Sequence, residues 1–265
     1  MKNRWKKLKN LLFNVGLTDE EFDALYPALL EQNRWTLQLV SMIAAVMFAL
    51  LTVINALMNS AFKSNEVSYI IGFAASLLLY FAAKYLLPSH PKLTMSGTFL
   101  FSTLLYALFM YISLLHRNMP AVSFIVFLLV IPLLFVDRTV NLISMTTLFS
   151  AIFCVLTYRF KPYAIAFTDI WNVVTFALVA FIEASLLNMV KVRAQYQAGE
   201  ILRLSRTDIL TGTRNRNSYE EQLQVYPSLT SRRLTCIFAD VNGLHEVNNR
   251  SGHAAGDAML KTVAE

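Results

Sequence analysis

Two stretches near the C-terminal end of this chain carry residue types and spacings able to do chemistry. Leu234-Thr-Cys-Ile-Phe-Ala-Asp-Val241 reads as a buried strand ending in a carboxylate, Asp240, and runs directly into Asn242-Gly243. A carboxylate so placed can hold a hard cation where a triphosphate approaches, because Mg²⁺ takes one or two carboxylates and leaves the rest of its shell to water and phosphate. Taken alone, the same aspartate also fits a plain strand-end cap. Downstream, Gly252-His-Ala-Ala-Gly-Asp257 sets His253 in a turn and opens an amphipathic helix with Met259, Leu260 and Val263 on one face. His253 suits a nucleotide site and a turn-stabilising role equally. Earlier, Asp208-Ile-Leu-Thr-Gly-Thr-Arg-Asn-Arg216 closes one helix at a Gly212 turn and opens another at Ser218.

In order and separation, Asp208–Arg216 and Asp240–Asp257 resemble the opening of a GGDEF (diguanylate cyclase) domain. That resemblance implies a βαββαβ palm like that of the nucleotidyl cyclases, of which only the N-terminal half is present. It also implies GTP as substrate, Mg²⁺ as cofactor and a parallel homodimer that faces two GTP-loaded domains toward each other. Carried over by position, Asp240 matches the metal-binding aspartate and Val241 the residue lending a backbone carbonyl to the metal. Asn248 and Asp257 match the residues that read guanine, an amide pairing with the purine edge and a carboxylate accepting from N1–H and N2–H₂. His253 is counted with the nucleotide site, and the Asp208–Arg216 segment is structural. Three positions depart from the pattern: Asn242 for a second aspartate, Leu244 for a phenylalanine, and His245 for a phosphate-contacting lysine. Residues up to Glu265 contain no Gly-Gly-Asp-Glu-Phe. The expectation is a fragment, with no catalytic residue of its own and no turnover by itself, since a lone strand 234–241 cannot form a stable sheet.

The elements that must carry this segment are apolar. Hydrophobic residues make up 56% of the chain and charged residues 15%, against about a quarter charged in soluble proteins. Apolar runs of membrane-crossing length occupy 36–57, 67–87, 93–115, 120–136, 139–158 and 170–190, separated by turn-forming and charged residues. Asp137-Arg138 is so short a break that spans four and five also fit a re-entrant hairpin. The expected fold is therefore an α-helical polytopic membrane bundle of about six transmembrane helices followed by an α/β partial GGDEF domain. The divisions are 1–35 N-terminal amphipathic segment, 36–190 membrane domain, 191–206 connecting helix and 207–265 partial GGDEF domain.

Lys2, Arg4, Lys6, Lys7, Lys9 and Arg34 precede the first span, and Lys191, Arg193, Arg203 and Arg206 follow the sixth. This places both termini in the cytoplasm of a bacterial inner membrane. The net charge of +6 then meets anionic lipid rather than nucleic acid. Thr18 and Glu21 form a capping box ahead of Phe22, Leu25, Leu29 and Leu30, an apolar stripe at helical spacing. Leu187, Val190, Ala194, Gln197, Ile201 and Leu204 fall on heptad positions of the connecting helix, the pattern of a short coiled coil or of a merely amphipathic helix. Glu183 fits a ligand or ion site, a hydrogen bond to a neighbouring helix, or a cytoplasmic crevice, and Lys84 can snorkel. Cys154 and Cys236 lie in different environments, which leaves no disulfide framework. The leading function is a membrane-bound diguanylate cyclase, two GTP giving cyclic di-GMP and two pyrophosphates, with the membrane part as sensor or anchor. A receptor whose GGDEF-like domain only binds, and a transporter with a cytosolic appendage, are the alternatives.

Overall fold

The computed structural model describes residues 15–57, 63–225 and 237–265. The basic run Lys2–Lys9, the polar loop at 227–233 and Cys236 lie outside them. Helices follow in chain order as α1 Asp19–Leu57, α2 Glu66–Phe81, α3 Thr94–Leu115, α4 Val122–Leu134, α5 Thr139–Phe160, α6 Tyr163–Arg206, α7 Arg216–Val225, α8 Leu244–Ser251 and α9 His253–Ala264. Packing divides the chain into two compact units, Met1–Gln195 and Tyr196–Glu265.

At the start of α1 the expected capping box forms. Thr18 N–H donates to the Glu21 carboxylate at 2.8 Å and Glu21 N–H to Thr18 Oγ1 at 3.2 Å, satisfying two of the donors a helix start leaves orphaned. The helix then runs unbroken through Pro27 to Leu57, so the N-terminal amphipathic segment and the first span are one helix rather than two pieces. Phe22 and Leu29 pack on Val136 and Val192, which ties the segment before the bilayer-length run to the chain just after α4 and to α6.

Against α1 lies α2, presenting small residues at every fourth position: Ser68, Gly72 and Ser76 are buried. This stripe lets two helices approach closely. A Cβ on Gly72 would come within 2.8 Å of the Phe48 ring, so the contact exists only because that position has no side chain. One face of α4 is buried, with Phe124, Leu128 and Ile131 in one core with Phe101, Leu105 and Tyr106 of α3 and Phe153 of α5. Its aromatics stack, Phe124 on Phe153 at 4.1 Å and Phe127 on Phe109 at 3.6 Å between centroids. They act as packing.

Five of the described helices, α1, α2 with the turn after it, α3, α5 and α6, are long and apolar enough to cross a membrane. The fourth expected span, 120–136, folds as only 13 helical residues, about 20 Å at 1.5 Å each. The expected loop 159–169 also differs: only Lys161 and Pro162 separate α5 from α6, because Pro162 cannot continue α5 yet is tolerated just before a new helix. α6 continues for 44 residues, about 66 Å, from the bundle into the second unit without a break.

One expectation fails. Residues 237–241, most of the predicted strand 234–241, belong to no strand, and Ile237 and Phe238 are 86% and 87% exposed. Its first three residues lie outside the described set. A strand needs a partner to satisfy its backbone groups, and no sheet is formed among the described residues.

Candidate functional site

In the second unit, the Asp208–Arg216 turn is built from its own side chains. Asp208 Oδ1 accepts from Thr211 N–H at 2.9 Å, Thr211 Oγ1 at 2.9 Å and Leu210 N–H at 3.1 Å. The Thr211 donors hold the Asp208 carboxyl below its ordinary range. Asn215 serves both neighbouring helices, donating from Nδ2 to Ser205 O at 2.9 Å and accepting at Oδ1 from Ser218 N–H at 3.1 Å. It thereby satisfies a carbonyl at the end of α6 and caps the start of α7. Arg206 and Glu221 pair across the turn at 2.8 Å. Every one of these contacts is with the segment itself or its flanking helices.

Asp240 is exposed and Val241 half-buried, just before an Asn242-Gly243 turn in which Gly243 has φ +80°. α8 and α9 pack on each other, joined by Gly252 alone. Asn248 on α8 rests directly over Gly256 on α9: a Cβ there would overlap Asn248 Oδ1 and come within 3.2 Å of Leu244. The missing side chain is what lets that amide lie against α9. His253 is the first residue of α9 and is exposed. His245 Nε2 lies 3.1 Å from Asn249 Nδ2, on the helix that carries Asn248. Asn248 and Asp257 are thus brought onto one helix pair, while Asp240 and Val241 stand on the segment leading into it. Among the described residues no side-chain hydrogen bond joins Asp240, Asn248, His253 and Asp257 to one another.

The first unit holds polar anchors that sequence reasoning missed. At one end of α4, Lys161 and Asp169 form an ion pair at 2.7 Å with both side chains fully buried. Asp169 also accepts from Ala121 N–H at 2.9 Å, and Lys161 donates to Met119 O at 2.9 Å. At the other end, Asn33 donates to Val136 O at 2.6 Å and accepts from Val136 N–H at 2.9 Å. Asn188 donates to Asp137 O at 2.7 Å and Lys191 to Leu133 O at 2.7 Å. Asp169 and Asn188, both on α6, are separated by nineteen residues, about 28 Å of helix, close to the roughly 30 Å of a hydrocarbon core. α4 and the non-helical Phe135–Arg138 together bridge that distance, so the short helix is completed by extended chain whose backbone groups Asn33 and Asn188 satisfy. Glu183, singled out from the sequence, is exposed on α6. The signal for the real anchors was present as Asn33, Asn188 and the Lys161/Asp169 pair flanking a proline, but their partners are distant in sequence.

A bundle of apolar helices running on through α6 into a motif-bearing C-terminal segment defines the class: a membrane-type helical unit joined to a GGDEF-type segment. Residues 205–265 match the family model for the diguanylate cyclase GGDEF domain. Sixty residues are 40% identical to the probable diguanylate cyclase DgcE of Escherichia coli (strain K12), which is 22% of this chain and 5% of that protein. The chain therefore spans a small part of the curated relative it matches. No solved structure matches it.

Proposed function

We propose that this chain belongs to a membrane-bound diguanylate cyclase that condenses two GTP into cyclic di-GMP and two pyrophosphates. The observation that carries this reading is the family match over 205–265, which spans the Asp240, Asn248 and Gly252–Asp257 positions in the family's order. In the reaction each 3′-hydroxyl attacks the other molecule's α-phosphate. The oxygen donors of Asp240 and the Val241 carbonyl suit a hard cation, and bound Mg²⁺ there would neutralise phosphate charge. Asn248 on α8 and Asp257 on α9 would read guanine, with His253 at the nucleotide site.

The membrane unit acts as sensor or anchor in the bacterial inner membrane, with six crossings and both termini cytoplasmic. Support comes from the basic residues that in sequence precede the first span and follow the last, and from α4, anchored at two levels about a bilayer's thickness apart. A homodimer through α6 and the cyclase segments is supported by Leu187, Val190, Ala194, Gln197, Ile201 and Leu204, all exposed on a single chain.

The test is cellular cyclic di-GMP measured by mass spectrometry on expression of the natural gene against its Asp240→Ala form. Loss of at least a hundredfold is expected for a group acting at the reacting phosphates. Full activity in a normally inserted Asp240→Ala protein would overturn the metal assignment. Alkaline phosphatase fused after Pro120 should be active and after Val190 inactive; the reverse would overturn the orientation.

A further inference from the structure

Near the expected cytoplasmic end of the bundle, α1 and α2 carry a patch that the cyclase reading does not use. α2 ends in a π-turn, Ala82–Leu86, closed by Leu87 N–H on Ala82 O at 3.0 Å. Such single turns are frequent at functional positions. Ala83 cannot use the residue five further on, because Pro88 has no N–H. Arg34 of α1 approaches the Ala83 carbonyl instead, at 3.5 Å. Its guanidinium is also held by Glu31 and lies 4.6 Å above the Trp35 ring.

Lys84, on the same π-turn, behaves differently. Side chains on a helix lean toward its N-terminus, which for α2 is toward the middle of the bundle. The ammonium accordingly lies 5.8 Å from the Tyr80 ring and 5.1 Å from Tyr85, drawn back along the helix rather than out past its end. Among the described residues no carboxylate pairs with it. Directly beside it, Trp35, Thr36, Gln38, Leu39, Met42 and Tyr80 line an open cavity of about 380 Å³, more than twice the roughly 150 Å³ that takes benzene. No charged residue lines it; Lys84 is related to it through Tyr80, which lines the cavity and whose ring lies 5.8 Å from the ammonium.

We infer that this groove is a binding site for one anionic phospholipid of the cytoplasmic leaflet, with the phosphate on Lys84 between Tyr80 and Tyr85 and an acyl chain along Trp35, Leu39 and Met42. The inference rests on the proposed membrane orientation. Charge complementarity selects the occupant: a cation held below the end of its helix, without a carboxylate, at the head of an apolar groove matches a negative headgroup on a chain. Arg34 positions Trp35 and is itself neutralised by Glu31, so Lys84 supplies the selectivity.

The full chain is placed in vesicles of phosphatidylcholine with increasing fractions of brominated phosphatidylglycerol, or of brominated phosphatidylcholine, and tryptophan quenching is read. One variant keeps only Trp35 (Trp5→Phe, Trp171→Phe), and another keeps only Trp171. Trp35 should reach half-quenching at about fivefold lower mole fraction of the anionic lipid, the factor that one lysine contributes near an anionic surface. Lys84→Gln should abolish that preference while leaving quenching by the neutral lipid intact, and Lys84→Arg should restore it. Equal quenching of Trp35 by both lipids overturns the site, as does a preference that survives Lys84→Gln. If Trp171 and Trp35 both escape quenching by either lipid, the chain is not in the bilayer, and the membrane reading fails with the site.

Discussion

The buried Lys161–Asp169 pair gives a prediction whose size follows from its surroundings. Both side chains are fully buried, and the two charges are supplemented only by Met119 O and Ala121 N–H. Lys161→Met removes the cation and leaves the Asp169 carboxylate with one neutral donor. Breaking a buried pair from one side costs about 3–5 kcal/mol, because the remaining charge is neither solvated nor matched. For a chain of this size one kcal/mol shifts the unfolding midpoint by about 2–4 °C, so the variant should unfold about 6–20 °C lower. The double variant Lys161→Met/Asp169→Leu removes both charges and orphans only two backbone groups, so it should recover a large part of that loss. The assay is thermal unfolding of the detergent-solubilised chain followed by a thiol-reactive dye at Cys154, which is only half-exposed, in a Cys236→Ser background. A single variant within about 2 °C of the parent would refute the argument, since such a shift is far below the cost of a buried unpaired charge. A double variant less stable than the single one would refute it equally.

Three further outcomes follow from the second unit and the bundle. Gly256→Ala should displace the Asn248 amide and lower cellular cyclic di-GMP much as Asn248→Ala does, with unchanged helix content by circular dichroism; the two together should be no worse than either. Asp208→Ala should remove the turn's three acceptor bonds. Because the folded carboxyl sits below its ordinary value near 3.8, the stability gap between parent and variant should be constant above that value. It should close as pH falls through the lower folded value, as measured by thermal unfolding across pH; a gap that widens in acid would contradict the hydrogen bonds described. Gly72→Leu should destabilise the bundle by about 1–3 kcal/mol through overpacking on Phe48, whereas an unchanged midpoint in the same dye assay would show that α1 and α2 do not meet closely at that glycine.

Much of this protein was legible in its residues because the signals are local. The capping box at Thr18 and Glu21, the apolar runs, the unbroken α6 and the helix opened at Ser218 each depend on neighbours within a turn or two, where spacing fixes geometry. The motif around Asp240, Asn248 and Asp257 was legible for a different reason, since the chemistry needs fixed residue types in a fixed order. The extent of α4 was misjudged because apolarity continues through Phe135 and Val136 after the helix has ended.

What the residues alone determined is therefore the helical bundle and the class of the C-terminal segment. Tertiary structure decided which polar groups are anchored and which glycines must be bare. Asn33 finds Val136, Asn188 finds Asp137 and Gly256 receives Asn248 only once separate helices are packed, and hydropathy along one helix carries no information about the group that will face it. A carboxylate such as Asp169 reads as a loop residue in the sequence. It is stable within a helix because folding brings Lys161 and the Ala121 N–H to it, and desolvating a charge is tolerable only where such partners converge.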